Sequence, residues 1–343
     1  MSHKKIRIAI AGSTGFVGLD LVYLLTKHPD VKIIYLCAQK GINKKIQFFD
    51  KRIKKNLPRI TNLKKIDYEL IDVLFLSLPN GEAQKIIKKN INFTHVKFID
   101  LSADFRLTDP KTYKYWYNKK HNATKLIKDS LYSVSEFTKK IIKKYRIIGN
   151  PGCYPTSIQL PLIPLLEKKI IRFNNIIIDS KSGYSGAGKN FKKKFKHKNL
   201  LNSVYAYATQ KHRHTTEIDQ QFKKITKNKI NYTFNPHLLP TFRGILSSIY
   251  VETKNNKKPK EIVNYLIKYH NSNIFVKVLP LNTEIGTGNV IGTNNCEISI
   301  CETGQKNKLV IFSAIDNLIK GAAGQAIQNL NLSYDLKENR GLK

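Results

Sequence analysis

Short apolar runs alternate with helical stripes over the first 150 positions. Ile6-Arg7-Ile8-Ala9-Ile10-Ala11 reads as a strand, and Gly12-Ser13-Thr14-Gly15-Phe16-Val17-Gly18 follows at once as a turn. Leu19, Leu21, Val22, Leu24 and Leu25 then recur at helical spacing until His28-Pro29 stops them. Lys32 to Ala38, Val73-Leu74-Phe75-Leu76, Lys97-Phe98-Ile99-Asp100-Leu101 and Arg146-Ile147-Ile148 read as further strands. Strands that alternate with helical segments predict an α/β fold with a doubly wound parallel sheet of Rossmann type.

After about residue 152 the pattern changes. Ile176-Ile177-Ile178, Ser247 to Glu252, Phe275 to Val278, Glu297 to Ile300 and Leu309 to Phe312 look like strands without regular helical partners. They predict an α+β domain with a mixed sheet. Asn317 to Asn329 reads as a helix rich in Ala and Gly, and small residues permit close approach to a neighbour. The expected division is 1–150 for nucleotide binding, 151–314 for a second domain, and 315–343 for a C-terminal helix that returns to the nucleotide domain. No internal repeat is visible.

The length of 343 residues exceeds what one hydrophobic core usually supports, which agrees with two domains. The apolar fraction of 41 % is that of a globular chain. No apolar run approaches the roughly eighteen residues that a membrane-spanning helix needs. Ile6 opens the first strand too early for a signal peptide, so a cytoplasmic protein without a membrane partner is expected. Cysteines stand at 37, 153, 296 and 301 with no C-x-x-C pair, so no metal site is expected and a nucleophilic thiol is the open possibility.

Lys plus Arg total 60 against 24 Asp plus Glu, a formal net charge of +36. That balance suits a nucleic-acid binder, but no recognition motif accompanies it, and no specific nucleic-acid partner is expected. Lysines are spread from end to end, with short runs such as Lys192-Lys193-Lys194, and Ile and Asn are abundant as well. A bias of this kind is what an AT-rich coding sequence would give, an expectation that the nucleotide sequence tests. A basic field also attracts anionic substrates and cofactors.

Glycine at 12, 15 and 18 between a strand and a helix is a variant dinucleotide turn. The backbone approaches a pyrophosphate there, and the helix N-terminus offers free N–H groups. Gly12, Ser13, Thr14, Gly15, Phe16 and Val17 are the expected contacts. The second strand ends at Ala38-Gln39-Lys40, without the acid that holds a ribose 2′-hydroxyl. This favours NADP(H) over NAD, with Lys40 toward the 2′-phosphate; Lys40 fits a solvated surface lysine equally well.

Cys153 is framed by Asn150-Pro151-Gly152 before it and a helix-compatible stretch, Thr156 to Leu166, after it. A thiol at a helix N-terminus feels the positive end of the dipole and ionises more readily, and the thiolate is the attacking form. Pro161 and Pro164 are expected to distort that helix. The other three cysteines sit in or beside apolar runs, as buried small hydrophobes do. The thiol needs a base, and His212-Arg213-His214-Thr215-Thr216-Glu217 is the best source. Glu217 comes within reach of His214 if Thr215 begins a helix, and it equally suits a helix start on dipole grounds. Spacing does not choose between His212 and His214. Ser182 to Gly188 is a second glycine-rich loop, able to approach a cofactor ring or an acyl group, or else a surface loop.

These segments together resemble the N-acetyl-gamma-glutamyl-phosphate reductase family. The resemblance runs along nearly the whole chain: the Gly12–Gly18 turn, Asp100-Leu101-Ser102-Ala103-Asp104-Phe105-Arg106-Leu107, Asn150 to Thr156, Ser182 to Gly188, His212-Arg213-His214, Pro236 to Gly244 and Asp316 to Gln325. It implies NADPH-dependent reduction of an acyl phosphate through a thioester on Cys153, in arginine biosynthesis, by a homo-oligomer (dimer or tetramer). It implies His214 as acid/base supported by Glu217, and a catalytic and oligomerisation role for 151–314. Arg106, Asn150, His212, Arg213 and Arg243 are candidate contacts to the small-molecule acyl phosphate, with Arg106 also a candidate partner of Asp104 or Asp100. Ser182, Gly183 and Asn317 would lie near the nicotinamide.

The chain departs from the family pattern at Asn80, Ser133, Ser135, Thr216 and Gln39-Lys40, and the last weakens the NADP assignment at its most specific point. Aspartate-semialdehyde dehydrogenase shares architecture and chemistry and is the nearest rival; the His-Arg-His and Asp316 to Gln325 segments count against it. A basic nucleic-acid binder on a nucleotide-binding fold is the alternative of another class.

Overall fold

The computed structural model describes residues 5–189, 191, 199 and 202–343. Its contacts group the chain into two compact units, Met1–Pro151 with Ala322–Leu342, and Gly152–Gly321 with Lys343.

In the first unit, β1 (Ile6–Ala11), β2 (Val31–Cys37), β3 (Ile60–Thr61), β4 (Val73–Leu76), β5 (Lys97–Asp100), β6 (Ser130–Tyr132) and β7 (Ile147–Gly149) form one sheet. The described strands lie in the order β3-β2-β1-β4-β5-β7-β6, with every neighbouring pair parallel. The winding reverses between β1 and β4, the switch point beside which doubly wound sheets bind ligands. All four residues of β4 are buried, as the continuous apolar run Val73-Leu74-Phe75-Leu76 requires of a strand covered on both faces. Helices α1 (Phe16–Leu25) and α2 (Glu82–Asn90) follow β1 and β4. The hydrophobic pattern does not signal β3 or β6, in which Ile60 and Leu131 are the single aliphatic side chains.

In the second unit, β8 (Ile176–Gly183), β9 (Tyr205–Ala206), β10 (Tyr232–Leu239), β11 (Ile245–Glu252), β12 (Val276–Val278), β13 (Cys296–Glu302) and β14 (Lys308–Ile315) make a second sheet in the order β12-β13-β14-β11-β8-β10-β9. It is mixed: β8/β10 and β12/β13 are parallel and the remaining described pairs antiparallel. Sequence patterning passes over β10 because Pro236 stands inside it. That strand pairs with β8 over its full length, but with β9 only at His237 and Leu238. The outer side of β10 is largely free of a ladder, so a residue without an N–H is tolerated there.

Helices α3 (Cys153–Glu167), α4 (Thr215–Thr226) and α5 (Pro259–Tyr269) accompany this sheet. Pro161 and Pro164 lie inside α3, which nevertheless runs unbroken from Cys153. Pro164 leaves the Leu160 carbonyl without its helical donor. The buried His270 replaces that donor, its Nε2 lying 3.0 Å from the Leu160 oxygen. A carbonyl only accepts, so Nε2 carries the hydrogen, and Nδ1 faces the Asn273 amide at 2.9 Å.

The chain leaves β14 through Asp316, whose Oδ1 accepts the amides of Leu318 and Ile319. The expected helix from Asn317 therefore begins later: a π-helical turn, Ile319–Ala323, precedes α6 (Gly324–Ser333). Within the first unit, Asn329 of α6 accepts hydrogen bonds from the hydroxyls of Ser133 and Ser135, each at 2.8 Å. Its amide donates to the Ser133 carbonyl and to Asn150 Oδ1. The two serines that depart from the family pattern thus share one acceptor.

Candidate active site

Cys153 is the first residue of α3, half-buried, with Gly152 as an extended N-cap that has no side-chain cap. Thr156 closes the first turn, its N–H and hydroxyl both donating to the Gly152 carbonyl at 3.0 and 2.9 Å. A thiol in this place lies at the positive end of the helix. The other cysteines have other surroundings. Burial pushes the Cys37 thiol up to about 12, where it is inert at neutral pH. Cys296 is buried against the Ser313 hydroxyl, and Cys301 stands beside the Thr283 carbonyl on β13.

Two side chains of the α4 start converge on Gly152. The fully buried Glu217 accepts the Gly152 N–H on Oε2 at 2.8 Å. The imidazole of His214 lies over the Gly152 α-carbon so closely that a methyl group there would be 2.5 Å from Nε2. Thr215 does begin a helix, and this brings Glu217 Oε1 to 4.0 Å from His214 Nε2. That is an ion-pair separation; the short hydrogen bond of the carboxylate goes to the turn before Cys153. A methyl on Gly321 would be 2.6 Å from the Cys153 β-carbon.

Sequence spacing left His212 and His214 equivalent, and the structure separates them. His212 Nδ1 accepts the His214 N–H at 3.2 Å, so the neutral ring carries its hydrogen on Nε2. Its ring is edge-on to Tyr154, Tyr207 and Phe234 at centroid distances of 5.4, 5.6 and 5.4 Å. The Tyr154 hydroxyl lies 3.2 Å from that of Tyr207 and donates to the His237 carbonyl at 3.2 Å. Burial raises both phenols, so they stay neutral. Arg213 is exposed, and its carbonyl accepts from Thr216.

The loop after β8 is tied along its backbone. Gly183, Tyr184 and Ser185 donate to the carbonyls of Gly244, Thr241 and Phe242. A methyl on Gly183 would be 2.7 Å from the Arg243 α-carbon, so glycine is required by the approach of two backbones. Asn317 joins the same elements: its Oδ1 accepts from the Gly244 N–H at 2.7 Å and its Nδ2 donates to the Ser185 hydroxyl at 2.9 Å. Ser182 is buried with its hydroxyl on the Gly183 carbonyl. Arg243 donates from Nη1 to Asp316 at 3.1 Å. The run Lys192-Lys193-Lys194 lies outside the described residues.

The first unit holds the dinucleotide turn. Gly12 has φ +85°, and a methyl there would be 2.0 Å from the Ser77 carbonyl oxygen. Ser13 turns inward, with N–H and hydroxyl on the Cys37 carbonyl. Gly15 is the N-cap of α1 without a side-chain cap, and the first turn through Phe16 and Val17 carries no acid. Uncapped amides next to a surface of glycine and Thr14 fit a pyrophosphate. Gln39 and Lys40 are exposed past the end of β2 and neither is an acid, which fits a phosphorylated ribose.

Arg106 and Asn150 are engaged with the protein itself. Arg106 donates to the carbonyls of Asn150 and Leu101 at 2.7 and 3.0 Å. The Asn150 side chain is bonded to Ala322 and Asn329. Asp104, the neighbouring acid, accepts the amides of Gly81 and Gln84 and the Tyr113 hydroxyl. Among the described residues no group of His, Cys, Asp and Glu is arranged to hold a metal ion.

In the sequence Tyr154 and Asp316 stand only as members of the segments Asn150 to Thr156 and Asp316 to Gln325, and Tyr207 and Phe234 carry no mark at all. Tyr154 and Asp316 carried a signal, being neighbours of Cys153 and Asn317. Tyr207 and Phe234 reach His212 only through the sheet.

Residues 7–145 match the semialdehyde dehydrogenase NAD-binding domain, and residues 153–317 match the semialdehyde dehydrogenase dimerisation domain. An N-acetyl-gamma-glutamyl-phosphate reductase of Ehrlichia canis is 41 % identical over 345 residues, covering 100 % of this chain and 98 % of its own. A probable chloroplastic N-acetyl-gamma-glutamyl-phosphate reductase of Arabidopsis thaliana is 38 % identical, covering 99 % and 84 %. Among solved structures, aspartate semialdehyde dehydrogenase II of Vibrio cholerae, complexed with ASA, superimposes with a TM-score of 0.72 at 18 % identity, over 97 % of this chain and 99 % of that one. The Candida albicans aspartate semialdehyde dehydrogenase with NADP gives 0.67 at 16 %, over 96 % and 98 %. At that identity the likeness concerns the fold.

Proposed function

The chain belongs to the N-acetyl-gamma-glutamyl-phosphate reductase family, and we propose that it reduces N-acetyl-L-glutamyl 5-phosphate to the 5-semialdehyde with release of phosphate, a step of arginine biosynthesis. The observation that carries the residue assignment is the convergence of Glu217 and His214 on Gly152, directly before a thiol at a helix start.

In this reading the Cys153 thiolate attacks the acyl carbon and the carbon–oxygen bond to phosphate breaks, leaving a thioester. The Gly12–Val17 turn would hold NADPH, whose chemistry there would be delivery of a hydride to the thioester carbon, and with a proton from His214 the acyl group on Cys153 becomes a hemithioacetal. Collapse of the hemithioacetal breaks the carbon–sulfur bond, frees the aldehyde and restores the thiolate. His214 holds the proton that Cys153 gives up and manages the one needed at the hemithioacetal oxygen, with the Glu217 carboxyl 4.0 Å from its Nε2. The amides of the Gly12–Val17 turn and Lys40 would hold the cofactor phosphates. Arg243, with Arg106, Arg213 and His212 as weaker candidates, would meet the substrate anions.

The second unit is proposed to self-associate as a dimer or tetramer, supported by its match to a dimerisation domain. Among the described residues no helix is long and apolar enough to cross a membrane. The cytoplasm is the proposed compartment for this chain; some plant relatives are named chloroplastic.

The test runs the reaction backwards. N-acetylglutamate 5-semialdehyde, phosphate and NADP+ should yield NADPH with the native protein and none with Cys153→Ala. Aspartate semialdehyde used at an equal or better rate would reassign the substrate to the rival family. Mass spectrometry of the protein turned over without phosphate should find the acyl group on residue 153; an acyl group elsewhere would remove Cys153 from its role.

A further inference from the structure

We propose that Asp316 is a positioning residue of this active site, holding the Arg243 guanidinium in its substrate-binding pose and holding the turn against which Cys153 rests. The inference rests on the reading of Cys153 as nucleophile and Arg243 as anion contact.

Asp316 is completely buried, yet it gathers five donors. Oδ2 accepts from Arg243 Nη1 at 3.1 Å and from the Gly292 N–H at 2.9 Å. Oδ1 accepts the amides of Leu318 and Ile319 at 2.9 and 3.1 Å. The backbone carbonyl accepts the Gly321 N–H at 2.9 Å. A carboxylate out of water requires this degree of satisfaction, and it therefore dictates where its partners stand.

The strand ladder explains why Asp316 meets Arg243. Ile315 at the end of β14 pairs with Ile245 at the start of β11, two residues beyond Arg243. Backbone pairing brings the two segments together, and the carboxylate then selects one orientation of a long side chain. A guanidinium locked in its plane recognises an oxyanion by two parallel hydrogen bonds, and a mobile one loses that advantage.

The second contact runs to the nucleophile. Gly321 belongs to the π-helical turn Ile319–Ala323, and it approaches Cys153 so closely that a side chain would collide with the cysteine β-carbon. Single π turns inside helical segments concentrate at functional sites. Asp316 caps this turn through two amides and closes it through a third. Asn317 clasps Gly244 and Ser185 in the same region, so the dipeptide ties the bend at Arg243, the loop at Ser185 and the support of Cys153 into one piece.

The experiment is a double-mutant cycle on the full-length protein. Asp316→Asn keeps the size and one accepting oxygen and removes the charge; Arg243→Gln removes the guanidinium. Each is expected to raise the KM for the semialdehyde by about tenfold or more with a smaller change in kcat, and the double variant should be no worse than either. Effects that multiply in the double variant overturn the coupling. Iodoacetamide alkylation of Cys153 should change rate in Asp316→Asn and not in Arg243→Gln, because only Asp316 touches the turn behind the thiol. An unchanged alkylation rate in Asp316→Asn overturns that half of the proposal. Should Asp316→Asn not fold, Asp316→Glu, which keeps the charge but displaces it by one methylene, takes its place in the cycle: a raised KM that does not multiply with Arg243→Gln upholds the inference, and a native KM refutes it. Native protein that forms no NADPH rejects the proposed function itself, whereas active native protein with an indifferent Asp316→Asn rejects only this inference.

Discussion

The carboxylate of Glu217 accepts the amide hydrogen of Gly152 at 2.8 Å, 65 residues away in the chain and out of reach of solvent. The residue three places after the histidine therefore acts on the turn that presents the thiol as well as on the imidazole. Two substitutions separate these duties. Glu217→Ala leaves the Gly152 N–H buried without an acceptor, so urea unfolding should show a loss of about 1–3 kcal/mol. Its kcat should fall by roughly a hundredfold or more. Glu217→Gln keeps an accepting oxygen and should retain most of the stability, while losing the carboxyl that lies 4.0 Å from His214 Nε2 and with it much of kcat. Full kcat in Glu217→Gln would mean that the carboxylate acts on the turn alone.

Gly152 packs against the His214 ring and Gly321 against the Cys153 β-carbon, and neither leaves space for a methyl group. Gly152→Ala should drive the His214 ring from its place, and Gly321→Ala should displace Cys153. A shift of about 1 Å at a reacting group costs on the order of a hundredfold in rate, so kcat should drop by that order in both. NADPH binding, followed by nucleotide fluorescence, should persist, since the turn at Gly12 belongs to the other unit. Loss of nucleotide binding together with activity would point to general unfolding instead.

Burial, and next the charge of Asp104, push the Asp100 carboxyl up to about 6. The native state thus holds this proton more tightly than the unfolded chain does, whose carboxyl titrates near about 4. The stability this group contributes is complete below the unfolded value and is lost as pH rises through about 6. Carbon-13 NMR of the native protein should find one aspartate titrating well above its peers. Asp104→Asn should move it down by removing the second cause. An Asp100 carboxyl that titrates with the exposed aspartates would contradict the assignment.

Asn329 accepts two serine hydroxyls and donates to Ser133 and Asn150 in a fully buried setting. Asn329→Ala should cost at least about 2 kcal/mol in urea unfolding, because several buried polar groups lose partners at once. Ser133→Gly should cost a fraction of that. If the two variants were equally mild, the serines would be engaged elsewhere.

Local periodicity makes much of this protein legible in its sequence. The six residues before Gly12, the glycines at 12, 15 and 18 and the Leu19–Leu25 stripe define a strand, turn and helix within one stretch of chain. Ordered short motifs such as Asn150 to Thr156 and Asp316 to Gln325 carry the family. Elements without a period of their own escape: β3, β6 and β9 are two or three residues long, and β10 contains Pro236, tolerated only because its outer side is almost unpaired.

What the chain determines by itself is whatever neighbours in sequence decide, namely helical and extended runs, turn chemistry and a short set of reactive side chains. What only the tertiary structure decided is which of them meet. His214 rather than His212 lies on Gly152, Glu217 grips the turn of Cys153, and Asp316 holds Arg243, 73 residues away. Hydrogen bonds and steric contact act over a few ångströms of space, and distance along the chain carries no record of them.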